Sequence, residues 1–313
     1  MKQVLLVLWV LVLCGATQAQ RQYVTFDAPG CGSTMPALIA NSGAIYGVCS
    51  PGNPFVRSAK GVFTSPGISG GTAFGVSANG ELVGTVLNSG FYKPVGKRLV
   101  KFQISGAQQT TASAVSHSGL IAGCYRTFNN KPPCIGYVLN SNENLSIAGA
   151  SSVYPSGINN SGWVVGNFVD SAHQSHAFIW DPVNQRPIQY DAPGSVTTLV
   201  TGINDAGTVI GQWVDRGSVA HSFVLGAKGR FTSFDPEGAA ASLPVGINDN
   251  GFIVGDYADT SNLQHGYLRN PKGSITALDA PGAVWTSARG IDSTAHVTGY
   301  FADAHGVDHG FIY

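Results

Sequence analysis

The sequence predicts an all-β protein, a seven-bladed β-propeller with four-stranded blades, and three observations lead to this fold class. A glycine pattern recurs in seven units, each unit contains four short apolar stretches, and the two ends of the chain carry complementary parts of one unit. Repeats of this length with four short strands each are typical of propeller blades.

The repeat is defined by three columns of small residues and one aromatic column. The first two columns lie 13 residues apart and the third follows four residues later in all seven units. The columns are Gly30, Gly67, Gly106, Gly149, Gly194, Gly238 and Gly282; then Gly43, Gly80, Gly119, Gly162, Gly207, Gly251 and Ala295; then Gly47, Gly84, Gly123, Gly166, Gly211, Gly255 and Gly299. The aromatic column is Phe55, Phe91, Tyr137, Phe178, Phe223, Tyr267 and Phe311.

The fifth unit shows how the four strands are predicted. Strand D covers residues 188–191, strand A 198–203, strand B 208–214 and strand C 221–225. Each stretch is short, rich in Val, Ile and aromatic residues, and bounded by Gly, Asn, Asp or Pro, which favours strands joined by tight turns. Helical periodicity is absent from the sequence pattern.

The ends of the chain predict how the ring closes. Residues 23–30 form a strand D with no A, B or C before it, and residues 309–313 form a strand C with no D after it. We therefore expect the N-terminal strand to complete the last blade, which removes the exposed edges of an open array.

Three short motifs recur in the second half of the chain. Gly-Ile-Asn-x-x-Gly begins at Gly157, Gly202 and Gly246, and Gly-Ile-Asp begins at Gly290; Val-x-Gly and His-x-Phe accompany them. Over residues 157–313 the chain resembles the extracellular HAF-type repeat family, while residues 20–156 keep only the glycine spacing. The resemblance implies an exported repeat array and brings no activity with it.

The N-terminus predicts export. Lys2, an apolar run over residues 4–13 and small residues up to Ala19 have the pattern of a signal peptide. We expect residues 1–19 to be this signal and residues 20–313 to be one secreted, extracellular or periplasmic propeller. No later segment is apolar for long enough to insert stably in a membrane. We expect a monomer.

The composition argues against two classes of partner. Charged residues make up 11% of the chain and the formal net charge is zero, whereas about 25% is usual. Without a basic stripe, the chain is not expected to bind nucleic acid or anionic membranes.

Four cysteines remain after the predicted cleavage, and an even number in an exported chain favours disulfides. Cys124 and Cys134 flank one B–C connection, whereas Cys31 opens a D–A loop and Cys49 lies on the following strand B. We predict the bridges Cys31–Cys49 and Cys124–Cys134. Zinc is the alternative, but neither pair has the close spacing of zinc ligands.

Four Asp–His pairs are the candidate binding residues. Each pair is six residues apart and flanks a B–C connection: Asp170 and His176, Asp215 and His221, Asp259 and His265, Asp303 and His309. An Asp beside a His orients the ring and favours its charged form. A structural clamp of the loop is the preferred interpretation, because a catalytic site needs one asymmetric constellation; a ligand or metal role is the alternative.

Catalytic signatures are absent from the sequence. The mature chain has three glutamates, Glu81, Glu143 and Glu237, each alone in its unit, so paired carboxylates for glycoside cleavage would have to be aspartates. Asp27, Asp191, Asp235 and Asp279 follow the D strands, but Asp-Ala-Pro-Gly is also an ordinary turn. Asp- and Asn-rich turns could suggest calcium, yet no unit has the ligand density of a calcium loop. We therefore predict no catalytic residue, no metal and no cofactor.

The connections between strands predict where a ligand would bind. The D–A and B–C loops share one face of the ring. The spacing across strands D, A and B is constant, whereas the spacing from the strand-B glycine to the aromatic column, which spans the B–C loop, is 8, 7, 14, 12, 12, 12 and 12 residues. Residues 126–133 form the most individual of these loops. The sequence favours a non-catalytic binding or scaffold module for a cell-surface glycan or protein. The alternative is an extracellular lyase or glycoside hydrolase that uses the central cavity on this face.

Overall fold

Seven antiparallel sheets of four strands each form the ring, as the sequence predicts. The computed structural model describes residues 22–50, 52–128, 133–139 and 143–313. The predicted signal peptide, residues 1–19, lies outside the described residues. Among the residues described, no helix is long and apolar enough to cross a bilayer.

The strands are numbered in chain order, and blades 1 to 7 follow the order of their A strands. The A strands are β2 (Thr34–Ile39), β6 (Gly71–Val76), β10 (Ala107–Val115), β14 (Ala150–Ile158), β18 (Thr197–Ile203), β22 (Ala239–Ile247) and β26 (Trp285–Ile291). The B strands are β3 (Ile45–Cys49), β7 (Leu82–Val86), β11 (Ile121–Thr127), β15 (Val164–Asp170), β19 (Val209–Val214), β23 (Ile253–Asp259) and β27 (Val297–Ala302). The C strands are β4 (Asn53–Arg57), β8 (Ser89–Lys93), β12 (Ile135–Val138), β16 (Ser175–Asp181), β20 (Ala220–Leu225), β24 (Gln264–Arg269) and β28 (Asp308–Ile312). The D strands are β5 (Phe63–Thr64), β9 (Val100–Phe102), β13 (Glu143–Leu145), β17 (Arg186–Tyr190), β21 (Phe231–Phe234), β25 (Ile275–Leu278) and, for blade 7, β1 (Val24–Phe26).

The ring is closed by the N-terminal strand. β1 pairs antiparallel with β28, with Val24 opposite Ile312 and Phe26 opposite Gly310. The A strands of successive blades contact one another all the way round, including β26 of blade 7 against β2 of blade 1. The A strands therefore line a central channel, and the closure predicted from the chain ends is confirmed.

The strand-B glycines make room for the aromatic column of their own blade. A Cβ atom on Gly166 would lie 2.7 Å from the Phe178 ring, and one on Gly299 would lie 2.9 Å from the Phe311 ring. Opposite each such glycine, strand A carries a β-bulge in all seven blades. A bulge redirects side chains along its strand, and here it helps to place residues on the channel wall.

The core lies between neighbouring sheets rather than inside any one of them. Val165 of blade 4 packs in one cluster with Val200 and Phe223 of blade 5, and the Phe223 side chain is fully buried. Burial of such a side chain contributes about 1.5–3 kcal/mol, so each blade depends on its neighbours for stability.

Candidate functional site

Each of the four Asp–His pairs comes together at the B–C edge of its blade. The Nε2 atom of the histidine lies 3.5–3.7 Å from the carboxylate of the aspartate six residues earlier. The four histidines belong to strands C and the four aspartates end or follow strands B, so the B–C hairpin brings them together in blades 4 to 7.

A second aspartate binds each histidine more closely. The Nδ1 atoms of His176, His221, His265 and His309 lie 3.0, 2.7, 2.7 and 2.8 Å from carboxylate oxygens of Asp191, Asp235, Asp279 and Asp27. These aspartates follow strand D of the same sheet, where the sequence favoured an ordinary turn. Each blade from 4 to 7 thus carries an Asp–His–Asp cluster joining strands B, C and D.

The surroundings of each cluster fix its geometry. The His221 ring stacks on Trp213 of strand B at 4.8 Å between ring centroids. His176 and His265 stack on Phe168 and Tyr257 in the same way, and His309 lies tilted against Phe301 at 5.3 Å. Asp215 Oδ1 accepts a hydrogen bond of 2.9 Å from the backbone N–H of Val219. This bond is the main cause that lowers the pKa of Asp215, with His221 adding to it. The first carboxylate therefore closes the B–C turn as well as holding the histidine.

The cluster in blade 5 does not have the order of groups found in a catalytic triad. In blade 5, Asp235 accepts hydrogen bonds from both Ser242 Oγ at 2.6 Å and His221 Nδ1 at 2.7 Å. The carboxylate stands between the hydroxyl and the imidazole, whereas in a catalytic triad the imidazole stands between the other two. Ser242 is also buried, so this network ties blade 5 to blade 6.

The cluster in blade 7 predicts a pH-dependent contribution to stability. Burial lowers the pKa of His309, but the hydrogen bonds and charges of Asp27 and Asp303 outweigh it, and the pKa is raised. The backbone N–H of Val307 is the main cause that lowers the pKa of Asp303. A raised histidine pKa adds stability below the unfolded value of about 6.5 and loses it as the pH rises through the folded pKa. A lowered aspartate pKa adds stability above about 3.9 and loses it as the pH falls.

We therefore expect the difference in unfolding free energy between wild type and His309→Gln to be largest between about pH 4.5 and 6.5 and to decrease at higher pH. Urea denaturation at a series of pH values measures this difference. His173→Asn is the control, because His173 is an exposed turn residue with φ of 63° and Asn tolerates this conformation. A difference that grew from pH 6 to pH 9 would contradict the proposed charge state.

The four cysteines form the two predicted disulfides. Cys31 is bonded to Cys49, and Cys124 to Cys134. They lie in blades 1 and 3, where the Asp–His pairs do not occur. Disulfides therefore stabilise the B–C side of blades 1 and 3, and Asp–His–Asp clusters stabilise the B–C side of blades 4 to 7.

A basin of about 470 Å³ opens at the B–C end of the channel beside blades 2 to 4. Phe74 and Tyr154 contribute aromatic rings to it and are 49% and 37% exposed. Its remaining lining is the disulfide Cys124–Cys134, Arg126 and the small polar residues Gln109, Thr111, Ser113 and Ser156. Residues 109, 111 and 113 alternate along β10, so they share the face of strand A that lines the basin. Of the loop 126–133 singled out by the sequence, residues 129–132 lie outside the described residues.

A second cavity, of about 240 Å³, opens at the opposite, A–B mouth of the channel. Its wall contains the last residue of every strand A, a ring of β-branched side chains that we call the aliphatic girdle: Ile39, Val76, Val115, Ile158, Ile203, Ile247 and Ile291. Next to the girdle, the A–B turns place a second ring, the turn ring: Asn41, Ala78, His117, Asn160, Asp205, Asp249 and Ser293. Ring members bind their neighbours; for example, the Asp205 N–H donates to Asp249 Oδ1 at 2.9 Å.

Three members of the turn ring converge in a way that the sequence analysis missed. His117 Nδ1 lies 3.5 Å from Asp205 Oδ2 and 3.9 Å from Asp249 Oδ2. The three residues come from blades 3, 5 and 6 and each stands two positions before the second glycine of its unit. Aligning this column would have shown one histidine and two aspartates, but only the closed ring shows that they meet.

Comparisons with known proteins identify the fold but no family. No protein-family model matches the chain, and no curated protein matches its sequence. Similar solved structures include the β-propeller domain of Cps50 (Swd1) from Myceliophteria thermophila, with 9% identity, 93% of this chain and 99% of that chain covered, and a TM-score of 0.53.

Two further similar structures belong to proteins of other kinds. A putative TolB from Agrobacterium tumefaciens has 9% identity over 90% of this chain and 98% of its own, with a TM-score of 0.55. Puromycin hydrolase has 13% identity over 90% of this chain, with a TM-score of 0.57, and the match spans only 55% of its length. At such low identity the similarity shows the propeller fold alone, because one fold carries many functions.

Proposed function

We propose that this chain is an exported, non-catalytic binding propeller and that the basin at the B–C end of the channel binds a glycan. The observation that carries the proposal is the lining of the basin, in which two exposed aromatic rings stand over amide, hydroxyl and guanidinium groups. Binding pockets combine apolar walls with a few polar groups that fix orientation. A sugar ring offers a matching surface, with apolar C–H faces and hydroxyls around its edge.

Several features favour binding over catalysis. No carboxylate or imidazole is among the described residues that line the basin, so the described wall offers no pair of acid and base for glycoside cleavage. The Asp–His–Asp clusters clamp the B–C loops of blades 4 to 7, and none of their residues lines the basin. We assign these clusters a structural role, because the same arrangement recurs in four blades whereas a catalytic site needs one asymmetric constellation.

Export is supported by the disulfides and by the N-terminal pattern. Disulfides persist in oxidising compartments and are rare in the cytosol. Together with the predicted signal peptide and the resemblance to HAF-type repeats, they favour an extracellular or periplasmic location.

A glycan array with the mature chain tests the proposal. We expect wild type to retain a defined class of glycan and Tyr154→Ala and Phe74→Ala each to weaken binding by about tenfold or more, as expected for aromatic anchors. Val183→Ala is the control, because Val183 is 83% exposed on the C–D side of blade 4, on the opposite face. Equal binding by all variants would refute the basin as the site. Release of cleaved or unsaturated sugars would favour the enzyme, and capture of proteins without glycans would favour a protein ligand.

A further inference from the structure

The A–B mouth of the channel carries a charge pattern that bracing of the ring does not require. Asn160 Oδ1 accepts from the Ser118 N–H at 2.8 Å, and Asn41 Oδ1 accepts from the Ser293 N–H at 2.8 Å. Asp205 and Asp249 make the same kind of bond through Oδ1, to Asn160 N–H and Asp205 N–H. A neutral amide oxygen therefore makes this bond to the backbone N–H in two blades, so the bond itself does not require the charges at positions 205 and 249.

The second oxygens of these two carboxylates face the same imidazole. Asp205 Oδ2 and Asp249 Oδ2 lie 3.5 and 3.9 Å from His117 Nδ1, and the three atoms lie within 4.8 Å of one another. Two adjacent carboxylates at the mouth of a narrow channel repel each other unless a cation lies between them. Arg289 also lines this cavity, but its guanidinium is 3.5 Å from the buried Asp256 and lies over the Tyr300 ring.

We propose that His117 Nδ1, Asp205 Oδ2 and Asp249 Oδ2 bind one first-row divalent transition-metal ion, of which Zn²⁺ is the representative. Tetrahedral zinc with bonds of about 2.0–2.1 Å places its ligand atoms about 3.3 Å apart, so small side-chain rotations close the observed distances around an ion. Three protein ligands leave a position for water, for which the cavity has room. The ion would join blades 3, 5 and 6 across the axis.

The surroundings match those of a metal site. Asn160 Nδ2 donates to Asp205 Oδ2 at 2.6 Å, an outer-shell bond of the kind that orients a ligating carboxylate. The aliphatic girdle lies next to the three ligands on the channel side of the cavity. One nitrogen donor and two carboxylates suit zinc, whereas calcium takes six to eight oxygen ligands.

The test is metal binding by the tag-free mature chain after removal of bound metal. Calorimetric titration with Zn²⁺ is expected to give one site per chain, with much weaker binding of Ca²⁺ and Mg²⁺. His117→Ala, Asp205→Asn and Asp249→Asn are each expected to reduce Zn²⁺ affinity by at least about tenfold. Each Asn variant keeps a side-chain oxygen for the bond from the backbone N–H, as Asn41 and Asn160 do, so both variants should fold. His305→Asn, at an exposed B–C turn, is the control and should bind as wild type.

A second measurement uses the wild type alone and does not depend on the variants. With Cu²⁺ as probe, electron paramagnetic resonance should show coupling to one imidazole nitrogen, and the melting temperature should rise with metal concentration by mass action. Absence of a stoichiometric site would overturn the proposal. Zn²⁺ binding that survived His117→Ala or the Asn variants would also overturn it, because the ion would then lie elsewhere. Glycan binding is measured separately at the other end of the channel, so either proposal can fail alone.

Discussion

Removal of residues 20–30 is expected to lower the melting temperature by on the order of 10 °C and to cause aggregation, because β1 is the outer strand of the last blade. Without it, the edge of β28 is exposed and Phe311, now fully buried, loses the packing of Tyr23 at 5.5 Å between centroids. Phe26 also leaves its contacts with Phe63 and Arg57 of blade 1. Loss of about 4–5 kcal/mol corresponds to such a shift in a chain of this size.

Thermal unfolding of the shortened chain measures the effect. A chain that begins at residue 22 is the control and keeps all of β1, so it should melt as the mature protein does. A synthetic peptide of residues 22–30 should restore part of the lost stability when added, because it can pair with the free edge of β28. Unchanged melting of the shortened chain would show that the ring does not depend on this closure.

The fold could be predicted from the sequence because the repeat is defined by positions at which the local structure requires glycine. Gly211 must lack a side chain where strand A and the Phe223 ring meet it, and Gly207 turns with φ of 76°. Such positions tolerate few substitutes, so the column spacing survives even where the Gly-Ile-Asn motif is lost. The disulfides were also predictable from local sequence, because the two cysteines of each pair are separated by only 18 and 10 residues.

The sites were less predictable because they depend on contacts that spacing within one unit does not reveal. The pairing of Asp170 with His176 follows from a single hairpin, but Asp191 reaches the same ring from strand D and binds it more closely. His117 and Asp205 are 88 residues apart in sequence and meet only because the ring closes. The basin depends on Phe74, which lies at the β-bulge of β6, and the spacing of the repeat does not show that its ring reaches the basin wall.

Gly211→Ala is expected to destabilise the protein by about 3 kcal/mol or more, although it adds a single methyl group. The new Cβ atom would overlap the Leu199 carbonyl oxygen and lie 2.6 Å from the Phe223 ring, which is fully buried. Neither neighbour can move freely, because the carbonyl belongs to strand A of the same sheet and the ring fills the space between blades 4 and 5. Overpacking of this kind is costly.

Gly202→Ala in strand A of the same blade is the matched control, since its Cβ atom would meet nothing closer than 3.6 Å. Chemical denaturation should separate the two variants clearly, with the control within about 1 kcal/mol of wild type. Equal losses in both variants would mean that the close approach of strand A, glycine and ring does not define the blade.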